Sequence, residues 1–235
     1  ILGVDAAIMF ADLLPILEPI GMSLDYIPGV GPQFANPVRT GADIDALRVD
    51  PAAQTMPYID AVIQLIRAEL PADIPLIGFG GAPFTLASYA IEGKGSRNYI
   101  HVKQMMYGDT GAWHALMVKI TDTVIDYMNY QIDSGVQAVQ LFDSWVGCLS
   151  LADYEEYVFS HTQRMLQAIS GRVPVIHFGT GNPALAPLMA KAGGDVLALD
   201  WRTPLMETWN KTGVTAVQGN MDTIVLCADF RPVEP

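Results

Sequence analysis

The sequence predicts an α/β fold, a (β/α)8 TIM barrel in incomplete form, on three observations. Six short β-rich runs alternate with stretches of helical spacing. The runs are continuously apolar, as expected of parallel strands covered on both faces. Each run is followed by polar or glycine-rich sequence, and six such ends converge on one rim only if the sheet closes into a barrel. An open doubly wound sheet, the other arrangement of alternating strands and helices, would spread them along an edge.

The expected strands are residues 7–10, 75–79, 138–142, 173–178, 196–199 and 215–218. Between them helical spacing covers residues 52–69, 84–91, 113–134, 152–170, 183–192 and 204–212. In the longest helix Leu116, Ile120, Val124 and Tyr127 recur three or four apart and make one apolar face. Gly135, Gly171, Gly193 and Gly213 each follow a helix end, where a left-handed cap is expected. Residues 24–40 interrupt the rhythm with Pro28-Gly-Val-Gly-Pro32 and predict an excursion or small hairpin. No repeat or linker divides the chain, so residues 1–235 read as a single domain. The start at Ile1 and an end in Asp229-Phe-Arg-Pro-Val-Glu-Pro suggest a domain truncated at both ends.

Composition narrows the function. Of 235 residues 51% are hydrophobic and 16% charged, which excludes intrinsic disorder. The 25 acidic against 13 basic residues leave a net charge of −12, a field that repels nucleic acid and anionic membrane surfaces. No run has the ~18 apolar residues of a membrane span. The two cysteines, Cys148 and Cys227, are too few for a disulfide framework and read as buried small hydrophobes in a reducing, cytoplasmic setting.

Taken singly, the candidate functional residues have plain structural readings. Gly78-Phe-Gly-Gly-Ala-Pro83 lacks the spacing of a nucleotide loop and reads as a turn with Pro83 opening a helix. Asp12 can cap the segment after the first strand, or can offer a carboxylate to an apolar barrel mouth. Tyr89 suits a packed aromatic, and Ser144 lacks the Gly-x-Ser-x-Gly elbow of a hydrolase nucleophile. His177 is followed by Phe178 and Gly179, with no cysteine to join it on a metal, and reads as a buried, hydrogen-bonded histidine. Asp200-Trp201 reads as a packed strand-end pair, and Met105-Met106 as core filler.

Their combination is more specific. The sixteen residues Gly78-Phe-Gly-Gly-Ala-Pro-Phe-Thr-Leu-Ala-Ser-Tyr-Ala-Ile-Glu-Gly93 closely resemble a signature segment of the uroporphyrinogen decarboxylase family. Four further segments resemble that family in its order: Ala7-Ile-Met-Phe-Ala-Asp-Leu-Leu14, Gln140-Leu-Phe-Asp-Ser-Trp-Val-Gly147, Leu199-Asp-Trp201 and Val217-Gln-Gly-Asn-Met-Asp222. The resemblance implies a (β/α)8 barrel of which this chain supplies strands two to seven. The family's Arg-rich segment on the first strand and its closing Gly-His-Gly turn are not in this sequence.

The resemblance implies a carboxy-lyase of haem biosynthesis, which converts the four acetate side chains of uroporphyrinogen III to methyls. It implies no metal and no organic cofactor, a tetrapyrrole as the small-molecule partner, and a homodimer at full length. It places catalysis on Asp12 and substrate contacts on Asp12, Tyr89, Ser144, Phe79 and Gly80. A fragment without the arginines that pair with substrate carboxylates is expected to be impaired. Two other readings remain: a zinc-dependent corrinoid methyltransferase of the same fold, and a non-catalytic barrel remnant that binds tetrapyrrole.

Overall fold

The computed structural model describes residues 3–227, and the expected loop at 229–235 lies outside them. The first strand, β1 (Ala7–Ile8), is short, but its ladder to the next strand runs from Ala7 N–H to Pro75 C=O and from Met9 N–H to Ile77 C=O. An antiparallel hairpin follows, β2 (Leu24–Ile27) and β3 (Gly31–Phe34), turning through Pro28, Gly29 and Val30. This is the small hairpin expected from the Pro/Gly cluster.

Three helices lead back to the sheet: α1 (Gly41–Ala46), α2 (Ala52–Thr55) and α3 (Tyr58–Glu69). The single helix expected over 52–69 is broken because Pro57 has no N–H to continue the ladder and keeps Met56 out of helical geometry, at φ −131° and ψ 51°. Helix α1 was not expected, although Thr40 and Asp43 form a capping box at its start.

The central part of the chain then runs through β4 (Leu76–Gly81), α4 (Pro83–Glu92), α5 (Ile100–Gly108), α6 (Thr110–Asp133) and β5 (Ala138–Asp143). Helix α5 escaped sequence reading because its cap is not local: Glu92 Oε1 accepts the N–H groups of His101 and Val102.

Helices α7 (Leu151–Tyr157) and α8 (Phe159–Ile169) replace the single one expected over 152–170. The buried Trp113 indole takes the Tyr157 carbonyl at 2.8 Å, and His161 N–H turns to Val158 instead. The rest is β6 (Val175–Gly179), α9 (Ala186–Ala192), β7 (Val196–Leu199), α10 (Leu205–Thr212) and β8 (Ala216–Gln218).

All six expected strands are present in one parallel sheet of order β1-β4-β5-β6-β7-β8. The order never reverses, so the sheet winds one way, as in a barrel and unlike a doubly wound sheet. Helix-facing strand residues such as Val139, Leu141 and Val175 are fully buried. The opposite face is only partly covered: Phe142 and Phe178 are half-buried, and Phe10 is 80% exposed. The continuous apolar runs therefore reflect a helix-covered face and a barrel-interior face.

The core continues into α6, whose Leu116, Ile120, Val124 and Tyr127 are all buried. Met105 and Met106 are buried as well. Gly213 is a left-handed cap, whereas Gly193, at φ 124° and ψ −168°, leaves its helix in an extended glycine-only conformation. The cysteines depart from expectation: Cys148 is half-buried at the edge of the core and Cys227 exposed, because both fall in short 3-10 turns.

Candidate active site

Asp12 follows β1 at the C-terminal end of the sheet. Its Oδ1 accepts the Leu14 N–H at 2.9 Å, a loop-stabilising bond across two residues, and the side chain remains exposed. The structural and functional readings thus coexist, since a carboxylate has about four acceptor positions. Asp12 stands at the rim of a cavity of about 470 Å³ whose walls include Phe10, Phe79, Gly80, Ile59 and Tyr127. Phe10 and Phe79 stack at 6.5 Å between ring centres.

Phe79 and Gly80 belong to β4, and so do Gly78 and Gly81. The expected glycine turn is therefore a strand. Its glycines are required by the helix behind: a Cβ on Gly80 would meet Met128 Sδ at 2.7 Å, and one on Gly78 would meet Gln131 Oε1 at 2.6 Å. The buried Gln131 amide accepts the Phe79 N–H at 3.0 Å and donates to its C=O at 2.8 Å. Pro83 does open α4, as expected.

Tyr89 sits on α4 beyond the β4 rim, half-buried, with its ring stacked on Trp145 at 3.7 Å. Burial, and then the nearby Asp12 charge, raise its hydroxyl pKa. Ser144 and Trp145 follow β5 directly. Three neighbouring strands, β1, β4 and β5, thus deliver Asp12, Phe79 with Gly80 and Tyr89, and Ser144 to one end of the sheet. Only Asp12, Phe79 and Gly80 line the cavity itself.

Sequence reasoning missed Tyr26. The β2–β3 hairpin brings its hydroxyl to the Asp12 carboxylate, and partial burial with that contact pushes its pKa up to about 12. The turn was legible, but not the place where the hairpin docks. Phe34 N–H donates to Gly93 C=O at 2.7 Å and Val38 N–H to Ala90 C=O at 2.9 Å, pinning the excursion to the end of α4.

The other strand-end residues do not converge as expected. Asp143 is fully buried on the helix side of β5. His177 lies between β6 and α9 beside Met189, with neither ring nitrogen hydrogen-bonded, so it is buried but not satisfied as expected. Burial lowers its pKa to about 4 and keeps the ring neutral. Period-2 alternation explains both positions, because Asp143 and His177 share the outward parity of their strands.

Asp200 is a hub. It accepts from the Thr180 hydroxyl, Gly181 N–H and Arg202 backbone and guanidinium at 2.5–3.0 Å. Those bonds outweigh partial burial and lower its pKa. Asn220 donates to the carbonyls of Asp200 and Thr203, tying the ends of β6, β7 and β8 together. Trp201 is 47% exposed, with the Arg202 guanidinium 4.2 Å from its ring centre, so only Asp200 of the expected pair is packed. Among the described residues no helix is long and apolar enough to cross a membrane.

The fold compares with a methyltransferase from Methanosarcina mazei at a TM-score of 0.78, covering 93% of this chain and 65% of that one. At 17% identity the likeness concerns the fold alone. Sequence comparison is closer. A uroporphyrinogen decarboxylase of Geobacter sp. (strain M21) is 49% identical over 235 residues, all of this chain and 69% of that protein. One from Sorangium cellulosum is 49% identical over 229 residues, 97% of this chain and 66% of that protein. The family model described as uroporphyrinogen decarboxylase matches residues 1–234, from the cavity strand β1 to beyond the Asp200 hub, and by that match the chain belongs to the uroporphyrinogen decarboxylase family.

Proposed function

We propose that the chain carries the catalytic face of an enzyme that decarboxylates the four acetate side chains of uroporphyrinogen III, giving coproporphyrinogen III and CO2. The carrying observation is the Asp12 carboxylate on the rim of an apolar, aromatic-walled cavity at the C-terminal end of a parallel sheet. Family membership supports the reaction, and the apolar, aromatic lining of the cavity supports contact with the pyrrole rings of the macrocycle.

Loss of CO2 from a pyrrole acetate leaves an electron pair that needs a sink. Protonation of the pyrrole ring provides one: the C–C bond to the carboxylate breaks, its electrons neutralise the ring as an exocyclic methylene forms, a second proton converts that carbon to the methyl group, and the ring releases its added proton to restore the pyrrole. The Asp12 carboxylate accepts the pyrrole N–H bonds and stabilises the cation that forms. Phe79 and Gly80 form part of the floor. Tyr89 and Ser144 contact the substrate's side chains from the neighbouring strand ends. A homodimer in the cytoplasm completes the reading, supported by the family resemblance.

The methyltransferase reading requires a thiolate beside the histidine of β6 to activate zinc. Gly179 occupies the place where that cysteine is needed, and His177 is packed against α9. The decarboxylase reading is preferred for that reason.

Protein expressed from its complete reading frame, given uroporphyrinogen without oxygen, is expected to release coproporphyrinogen. Asp12→Ala should lower kcat by about 100-fold or more. A folded wild-type protein that makes no product overturns the assignment and favours a silent tetrapyrrole-binding barrel.

A further inference from the structure

Asp143 is a buried carboxyl that the reaction above does not use. Its Oδ1 accepts the Thr85 hydroxyl proton at 2.8 Å, and its Oδ2 is buried with no partner. Thr85, fully buried in the first turn of α4, is itself an acceptor: the Trp145 N–H donates to its Oγ1 at 3.2 Å. The Trp145 ring then stacks on Tyr89 at 3.7 Å and meets the edge of Tyr99 at 5.3 Å. A continuous link therefore runs from the helix side of β5, through α4, to the aromatic wall beside Asp12. Ser144 lies between its two backbone anchors.

We propose that Asp143 is a positioning residue for substrate binding: by orienting the Thr85 hydroxyl it locks the Ser144–Trp145 backbone and, through the Trp145–Tyr89 stack, the substrate-facing wall. The inference rests on the roles given to Tyr89 and Ser144 above. A lone hydroxyl cannot arrange this link, because a free Thr85 rotor is able to donate elsewhere. A buried acceptor at 2.8 Å fixes the rotor and aims the oxygen lone pairs at Trp145 N–H.

The link works with a neutral carboxyl. Burial raises the Asp143 pKa to about 7, against the lowering effect of the Thr85 hydrogen bond. The groups facing it offer no compensating cation. Tyr154 on α7, near Thr162 of α8, is held far above its ordinary range by burial and by Asp143. Cys148 in the following turn is raised to about 11, chiefly by burial. Lys103 of α5 approaches this region, but its Nζ sits on the Cys148 carbonyl at 3.1 Å and its charge acts on the Cys148 thiol, not on Asp143. Ionisation of Asp143 thus places an uncompensated charge in the interior, and the wall is expected to loosen as pH rises through about 7.

The experiment compares wild type, Asp143→Asn, Asp143→Leu, Thr85→Val and Thr85→Ser, each expressed from the complete reading frame and shown to be folded by far-UV circular dichroism. Two readouts are needed: KM and kcat for uroporphyrinogen across pH, and the near-UV signal that Trp145→Phe abolishes. Thr85→Val and Asp143→Leu should lose that signal and raise KM by about tenfold with kcat within about twofold. Thr85→Ser and Asp143→Asn, which keep the hydroxyl and the neutral acceptor, should restore both. Asp143→Asn should also remove the rise in KM above about pH 7. A folded Asp143→Leu or Thr85→Val with the wild-type signal and KM overturns the proposal, as does a fall confined to kcat. Loss of the near-UV signal in a protein whose wild type makes no coproporphyrinogen leaves the link standing and overturns the reaction instead.

Discussion

Asp12 is exposed and yet anchored, because one oxygen closes its own turn onto Leu14 while the rest of the carboxylate faces the cavity. This division lets one residue be both rigid and available. Tyr26 and Tyr89 approach the same charge from two elements, one from the hairpin and one from α4. Both phenols are pushed towards the neutral form, so near pH 7 they are hydrogen-bond donors. Tyr89→Phe is expected to raise KM about tenfold with little change in kcat, as for a lost substrate contact. Tyr26→Phe, which removes a donor from the Asp12 carboxylate itself, should instead alter kcat. Steady-state kinetics on both variants distinguish the roles; equal effects on KM alone would make Tyr26 a substrate contact.

Elements reach the site through close packing. Strand β4 has glycine at three of its six positions: α6 fills the space at Gly80 and Gly78 with Met128 and Gln131, and α4 that at Gly81 with Leu86. The Gln131 amide satisfies both backbone groups of Phe79, beyond the point where the short β1 ladder ends. Gln131→Ala leaves a buried N–H and C=O unpaired and should destabilise the protein by about 2–4 kcal/mol. Urea unfolding measures this, and a loss below about 1 kcal/mol would show that water or a shifted β1 replaces the amide. On the far side Asp200 and Asn220 do comparable work for the ends of β6, β7 and β8. Their sequence motif was visible, but its use in joining loops rather than facing substrate was not.

For the whole molecule, buried titratable groups set the dependence of stability on pH. His161 is held near pKa 4 by burial, with His114 at 2.8 Å and Arg164 adding repulsion, and His177 is held near 4 by burial. Their folded pKa values lie below the unfolded one, so stability from both is complete above about pH 6.5 and is lost as pH falls towards 4. Asp143 has the opposite sign: raised to about 7, it favours folding at low pH and loses its contribution as pH rises through 7. Two protons against one leave a net slope of about +1.4 kcal/mol per pH unit between roughly pH 4 and 6.5. Stability should then be greatest near pH 6.5, a maximum measurable from urea midpoints. A midpoint that stays constant from about pH 5 to 6.5 would mean that the imidazoles are not both held neutral.

The sequence by itself determined the fold class and the six strands, because apolar periodicity and glycine spacing are local signals that survive in a linear string, and the resemblance of five segments supplied the family. The same resemblance singled out Asp12, Phe79, Gly80, Tyr89 and Ser144, which lie on or shortly after three strands that prove to be neighbours. Tertiary structure alone decided the break at Val158, the docking of Tyr26, and the burial of Asp143 and His177 away from the mouth, whereas the break at Pro57 has a local cause in the proline itself. A strand end shows which residue types arrive at a rim, but one residue of register selects the face. Caps such as Glu92 on α5 and amides such as Gln131 on β4 act across 9 and 52 residues, distances that no local pattern can encode.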